Sequence, residues 1–136
     1  MAVLDTCFVI DLMRETKREE VGPASLKLEE LSQRGERLRI AIITLAELQV
    51  GVAKSARPER EKQRVEEAVE QFAILSIFRS TAEIYGVVVG GLERAGLVID
   101  AMDALIGSVA LDHRDFVVSH NVKHFARIPG LVVEDY

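Results

Sequence analysis

The chain has 136 residues, of which 49% are hydrophobic and 29% charged, and its formal net charge is −5. This length and apolar content indicate one folded domain spanning residues 1–136 and exclude an intrinsically disordered chain. The negative charge is concentrated in residues 81–136, which carry eight acidic and four basic side chains. The net negative charge disfavours a module that holds nucleic acid mainly by neutralising its phosphates. A nucleic-acid substrate would therefore need a local positive surface on this protein.

Apolar periodicity and turn residues predict strands that alternate with helices. The predicted elements, in chain order, are strand 2–4, a helix beginning at Thr6, helix 23–33, strand 39–43, helix 44–54, helix 58–72, strand 74–77, helix 80–94, a helix beginning near Asp103, strand 116–119, a helical turn 122–125 and strand 131–133. This alternation is typical of an α/β fold, a three-layer α/β/α sandwich with a mostly parallel central sheet.

The helix near Asp103 is predicted to be strongly amphipathic. Apolar residues recur at helical spacing over residues 102–110. On the other side of this helix, Ala104, Gly107 and Ser108 are small, so a neighbouring element can approach closely. We therefore expect the helix to be buried nearly all round.

Neither a membrane span nor a secretory signal is expected. The longest apolar runs are well short of the roughly 20 residues that a spanning helix needs, and Asp5 interrupts the apolar start of the chain. These features favour a cytoplasmic protein. The single cysteine, Cys7, cannot form an internal disulfide, and we expect it to be a small buried hydrophobic side chain.

Three acidic residues lie where elements of such a sheet meet at one edge. Asp5 follows the first strand, and Glu47 lies one turn past the second. Asp103 begins the buried helix, and its carboxylate joins them if that helix packs beside the first strand. Ser119 and Asn121 lie at the end of the fourth strand. Because function in parallel sheets gathers outside the carboxyl ends of the strands, we expect one acidic pocket there.

Clustered carboxylates need a counter-charge. Two of them about 4 Å apart repel by about 4 kcal/mol at an effective dielectric constant of about 20. Three stay together at neutral pH only if a cation binds or if their pKa values rise. Oxygen ligands without cysteine suit Mg²⁺ or Mn²⁺, so the pattern indicates phosphoryl chemistry at a divalent metal site.

Each of these residues also has a purely structural interpretation. Asp5 suits a helix N-terminus, Asn121 is common in turns, and Thr44 with Glu47 forms a capping-box pattern. The local pattern alone favours capping for Glu47. Asp103 also suits a helix N-cap, but function is favoured there because a charge at the mouth of a buried helix needs a partner.

Four further polar residues are assigned supporting or structural roles. Asp100, one turn before Asp103, is interpreted as a loop cap or an accessory residue of the site. The histidines are spread over a helix end, a loop and a turn, and we interpret all of them as structural: His113, His120 and His124.

Four motifs, taken together and in this order, resemble those of a PIN domain, and more specifically those of the VapC toxins of prokaryotic toxin–antitoxin pairs. They are Val3-Leu4-Asp5-Thr6; Thr44-Leu45-Ala46-Glu47-Leu48; Asp103-Ala104-Leu105-Ile106-Gly107-Ser108-Val109-Ala110; and Val118-Ser119-His120-Asn121 with Phe125 and Ile128-Pro129-Gly130-Leu131. Each motif alone is weak, but the ordered set covers essentially the whole chain.

The resemblance implies an endoribonuclease that cleaves single-stranded or loop RNA with Mg²⁺ or Mn²⁺. By this resemblance, Asp5, Glu47 and Asp103 match the acidic metal ligands and catalytic residues, and Thr6 supports the first of them. Asn121 stands where the family has a fourth acid, which disfavours a second tightly held ion. The family also implies a homodimer and a VapB-like antitoxin that enters the acidic groove.

Two other functions are open alternatives. A PIN-fold binding or adaptor module would keep the fold without cleaving RNA. An Mg-dependent phosphohydrolase would use Asp5 as its nucleophile, but that chemistry usually has a second Asp two residues on, where this chain has Cys7.

Overall fold

The central sheet has five short parallel strands, and the computed structural model describes all of residues 1–136. The strands are β1 (Ala2–Leu4), β2 (Leu38–Ala41), β3 (Ala73–Leu75), β4 (Phe116–Val118) and β5 (Val133–Glu134). Their order across the sheet is β3-β2-β1-β4-β5, and every neighbouring pair is parallel. The parallel sheet predicted from the alternation of strands and helices is confirmed.

Helices cover both faces of this sheet. They are α1 (Thr6–Arg18), α2 (Pro23–Gln33), α3 (Ile42–Lys54), α4 (Pro58–Val69), α5 (Arg79–Arg94), α6 (Ala101–His113) and α7 (Val122–Phe125). None of them has the length and apolar character needed to cross a membrane. Ala2 and Leu4 of β1 pack with residues of α1 to α4, whereas Val3 packs with residues of α5 and α6 on the opposite face. The three-layer α/β/α sandwich is therefore confirmed.

Helix α3 begins at Ile42, two residues before its predicted start at Thr44. Strand β2 ends at Ala41 and runs into the helix without a turn, so the β-branched residues that follow belong to α3. Thr44 consequently lies inside the helix, and its predicted capping box with Glu47 does not form. The Glu47 side chain is left for contacts outside its own helix.

Helix α6 begins at Ala101, before its predicted start near Asp103, and Asp100 is its N-cap. The close packing predicted around this helix is confirmed, since its small residues are buried. A Cβ added to Gly107 would lie 2.5 Å from Ile128 Cδ1. Glycine thus allows a close approach that fixes the helix carrying Asp103.

Cys7 is exposed, so the prediction of a buried hydrophobic side chain is wrong. The buried stripe of α1 includes Phe8, Val9, Leu12 and Met13, as the periodicity predicts. Cys7 lies outside this stripe, next to the carboxyl end of β1.

Candidate active site

Asp5 lies at the carboxyl end of the central strand and is the N-cap of α1. Its Oδ1 accepts a hydrogen bond from the N–H of Phe8 at 2.8 Å, and its Oδ2 accepts one from Ser119 Oγ at 2.5 Å. The residue is only 2% exposed. Burial raises the pKa of Asp5 to about 6, although both hydrogen bonds oppose this shift. The same carboxylate can cap α1 through Oδ1 and take part in a site through Oδ2, so the two roles are compatible.

Glu47 of α3 is bound to the first residue of α1. Thr6 Oγ1 donates to Glu47 Oε1 at 2.6 Å and lies 3.2 Å from Thr44 Oγ1. A hydroxyl has one proton, so Thr44 is the donor in the second bond. Both threonines are buried and Glu47 is half-buried. Thr44, which the sequence pattern marked only as a cap, therefore helps to hold Glu47 at the sheet edge.

Asp103 lies at the same edge, in the first turn of α6. Its Oδ2 accepts a hydrogen bond from Asn121 Nδ2 at 3.3 Å and lies 3.9 Å from His124 Nδ1. Burial raises the pKa of Asp103, and the charges of Asp100 and Glu47 raise it further. Asp103 thus lies among groups that already repel its negative charge.

A chain of hydrogen bonds joins Asp5 to Asp103. Ser119 Oγ donates to Asp5 and accepts from the N–H of Asn121 at 2.8 Å, while the Asn121 amide donates to Asp103. Asp100 is exposed and accepts from the N–H groups of Met102 and Asp103, which fixes the start of α6. The structure therefore brings all seven residues singled out from the sequence to one edge: Asp5, Thr6, Glu47, Asp100, Asp103, Ser119 and Asn121.

The donor set at this edge suits a hard divalent cation. The charge of Asp103 raises the pKa of Asp5, and that of Glu47 raises the pKa of Asp103, so a cation would relieve repulsion that the fold creates. No group of three or more His, Cys, Asp or Glu side chains is arranged to hold a metal ion directly. This spacing is compatible with a cation that keeps most of its waters and binds through one or two carboxylates.

Two of the three histidines lie beside the candidate site, although the sequence pattern marked them as structural. His124 Nδ1 faces Asp103 and has no hydrogen-bond partner. His120 follows Ser119 directly, and its Nδ1 lies 3.0 Å from Asp135 Oδ1. The position of His120 immediately after a strand is the sequence signal that indicates this placement.

A groove of about 570 Å³ adjoins Glu47 and supplies the positive surface that the acidic composition calls for. Its lining includes four cations: Arg14, Lys17, Arg18 and Arg64. Arg14 lies 3.5 Å from Asp11, and Arg64 lies 2.8 Å from Glu61. Lys17 and Arg18 form no ion pair and are free to contact an anionic ligand.

Comparison with known proteins identifies the family. The PIN domain model matches residues 2–131. Ribonuclease VapC2 of Rickettsia felis is 34% identical over 107 residues, which cover 79% of this chain and 80% of the relative. The tRNA(fMet)-specific endonuclease VapC of Salmonella typhimurium is 34% identical over 100 residues, covering 74% of this chain and 76% of the relative. The chain belongs to the PIN domain family and, within it, to the VapC ribonucleases.

Solved structures share the fold over nearly the whole chain. The crystal structure of VapBC2 from Rickettsia felis bound to a DNA fragment from its promoter matches with a TM-score of 0.89 and 29% identity, covering 99% of this chain and 98% of that one. The DNA-bound VapBC of Salmonella typhimurium matches with a TM-score of 0.86 and 30% identity, covering 98% and 96%.

Proposed function

We propose that this protein is a metal-dependent endoribonuclease that cleaves single-stranded or loop RNA, and that it is the toxin of a VapBC-type toxin–antitoxin pair. The observation that carries this proposal is the hydrogen-bonded chain between Asp5 and Asp103, at a sheet edge that continues into a cation-lined groove. Two relatives, a ribonuclease and a tRNA(fMet)-specific endonuclease, support it.

Asp5 and Asp103 would hold the cation, Mg²⁺ or Mn²⁺, with Glu47 beside them. When bound, the cation neutralises charge on the phosphodiester and lowers the pKa of a coordinated water. Thr6 holds Glu47 Oε1, which leaves Oε2 to accept a proton from the attacking water. Asp5, Glu47 and Asp103 are therefore the proposed catalytic residues.

The accessory residues orient these carboxylates. Ser119 fixes Asp5 and is fixed in turn by the backbone of Asn121. The Asn121 side chain gives Asp103 a hydrogen-bond donor where a fourth carboxylate would add repulsion, which favours one tightly held ion. Asp100 holds the first turn of α6 in place.

We also propose two protein partners. An Arg or Lys side chain of a VapB-like antitoxin would satisfy the acidic site electrostatically, and the similar solved structures are VapBC complexes. An apolar groove of about 450 Å³ on α5, where Val87 is 76% exposed, supports a homodimer. A single domain over residues 1–136 and a cytoplasmic location remain predictions from the sequence.

The purified protein is expected to cleave single-stranded RNA in the presence of Mn²⁺ or Mg²⁺, and EDTA is expected to stop the cleavage. Double-stranded RNA of the same sequence is the control and should stay intact. Gel analysis of end-labelled oligonucleotides measures this. Absence of cleavage of any RNA pool, with no thermal shift on adding Mn²⁺, would favour the adaptor alternative, and a trapped phosphoaspartate at Asp5 would favour the phosphohydrolase.

The double variant Lys17→Ala/Arg18→Ala is expected to bind RNA more weakly and with less dependence on salt. Each lost phosphate contact to a single strand lowers the slope of log Kd against log salt by about 0.7, so two lost contacts lower it by about 1.4. Fluorescence anisotropy over a salt series measures the slope. Lys62→Ala/Arg94→Ala is the matched control, since it removes two exposed cations that lie outside the groove and likewise form no ion pair. Equal slopes for the two double variants would show that the groove does not hold RNA.

A further inference from the structure

His120 and Tyr136 form an aromatic stack beside the candidate active site. Their ring centroids are 3.7 Å apart and the ring planes differ by 17°. Tyr136 in turn packs edge-on against Phe8, with centroids 4.8 Å apart, and Phe8 is fully buried in the core. The stack is therefore anchored inside the protein and ends at His120, whose side chain is 48% exposed.

Polar contacts fix the orientation of both rings. The Tyr136 hydroxyl donates to Asp11 Oδ2 at 2.8 Å, and His120 Nδ1 lies 3.0 Å from Asp135 Oδ1. A ring held at its edge and supported on one face loses little conformational freedom when a ligand covers the other face. This arrangement suits a stacking surface better than a mobile surface histidine would.

The sheet places this stack next to the carboxylates. Val118 of β4 pairs with Glu134 of β5, so the parallel register continued by two residues sets His120 beside Tyr136. His120 lies between Ser119, which binds Asp5, and Asn121, which binds Asp103. A group stacked on His120 would consequently lie adjacent to the site where a phosphodiester would be cleaved.

We propose that the exposed face of His120 is a stacking platform for the base next to the scissile phosphate of single-stranded RNA, and that Tyr136 positions the platform. This inference rests on the proposed ribonuclease function. Stacking on aromatic side chains tolerates any base because every base has a π face. The platform would therefore place the strand over Asp5 and Asp103 without selecting its sequence, and it requires an unpaired base.

His120→Ala is expected to raise the KM for single-stranded RNA by about 5- to 150-fold, the range for loss of one stacked base, and to change kcat by less than about threefold. His120→Phe should have a KM much nearer that of the wild type, because it preserves the stack and loses only the contact to Asp135. His120→Leu should behave like His120→Ala, because it is apolar but has no π face. Tyr136→Ala should raise the KM, whereas Tyr136→Phe, which keeps the ring and loses only the bond to Asp11, should raise it much less.

Binding without cleavage gives an independent readout. Short RNA oligonucleotides carry 2-aminopurine at either side of the cleavage position mapped with the wild-type protein, and the variants are combined with Asp103→Asn. Stacking should quench the probe fluorescence in the protein that keeps His120 and in the His120→Phe variant. The quench should be absent in His120→Ala and His120→Leu.

An unchanged KM together with an unchanged quench in His120→Ala would overturn the platform. A lower melting temperature in His120→Ala with an unchanged KM would also overturn it, since the stack would then serve only stability. If the wild-type protein cleaves no RNA, the proposed function fails, and the oligonucleotides with probes at every position then decide the platform from the quench alone.

Discussion

Asp103→Asn is expected to remove RNA cleavage while the chain stays folded. The carboxylate lies at the acidic edge, its pKa is raised by burial and by neighbouring charges, and it is a proposed cation ligand. Replacing it with an isosteric neutral amide should lower the cleavage rate by roughly a thousandfold or more, because charge neutralisation at the phosphate is lost. The hydrogen bond from Asn121 can persist to the amide oxygen. The cleavage rate at saturating RNA and Mn²⁺ measures the loss of activity. The melting temperature measures whether the chain stays folded.

Asp112→Asn is the matched control on the same helix. Asp112 accepts hydrogen bonds from Ser80 Oγ at 2.8 Å and Thr81 Oγ1 at 2.7 Å, which join α6 to the start of α5 away from the acidic edge. This control should lower the melting temperature without lowering the cleavage rate of the folded protein. Cleavage retained by rigorously purified Asp103→Asn would refute the catalytic assignment.

Asp5→Asn is expected to make the chain more stable at neutral pH, although it removes another proposed cation ligand. Burial raises the pKa of Asp5 from 3.8 to about 6, so the folded state favours the protonated carboxyl. The protonated carboxyl contributes its full stability below pH 3.8, and this contribution is lost as the pH rises from 3.8 to 6. Above this range the buried charge lowers the free energy of unfolding by about 3 kcal/mol. Asparagine avoids this cost because it is neutral at every pH. Its amide oxygen can still accept from Phe8, and its amide nitrogen can donate to Ser119.

Guanidinium unfolding of both proteins at pH 4 and pH 7, without divalent metal, measures this effect. The free energy of unfolding of Asp5→Asn should exceed that of the wild type slightly at pH 4 and by about 3 kcal/mol at pH 7. Asp112→Asn should show the opposite sign, because hydrogen bonds from Thr81 and Ser80 lower the pKa of Asp112. That variant should be less stable than the wild type at pH 7, and the difference should shrink as the pH falls. An Asp5→Asn protein less stable than the wild type at pH 7 would contradict the prediction.

The order of strands and helices is predictable from this sequence because each element carries its own apolar periodicity. Helix α2 lies at its predicted residues, 23–33. Prediction fails where a strand passes directly into a helix. Ile42 and Ile43 extend the β-branched run of β2, yet both lie in α3, because no turn residue marks the change of backbone conformation.

The candidate site is predictable as a set of residues but not as a set of contacts. Positions after the strands indicate that Asp5 and Glu47 share an edge, and Asp103 joins them if the buried helix packs beside the first strand. The hydrogen bonds that hold them join residues far apart in the chain, 41 positions for Thr6 with Glu47 and 114 for Ser119 with Asp5. Such pairings depend on the strand order of the sheet, which no local pattern contains.

The same reason explains why the sequence alone indicates only a structural role for His120. Its aromatic partner, Tyr136, lies on the segment after the neighbouring strand, and only the pairing of β4 with β5 brings the two rings together. A single histidine in a loop gives no sign of such a partner.

The bond between Ser119 and Asp5 has a consequence for the protein during its own synthesis. Asp5 is translated 114 residues before its hydrogen-bond partner Ser119. Strand β1 is likewise translated before its partner strand β4, and Asp103 before its hydrogen-bond partner Asn121. A growing chain therefore carries carboxylates without an assembled cleft, so a nuclease of this design cannot attack the transcripts around its own ribosome before β4 and Asn121 have been translated.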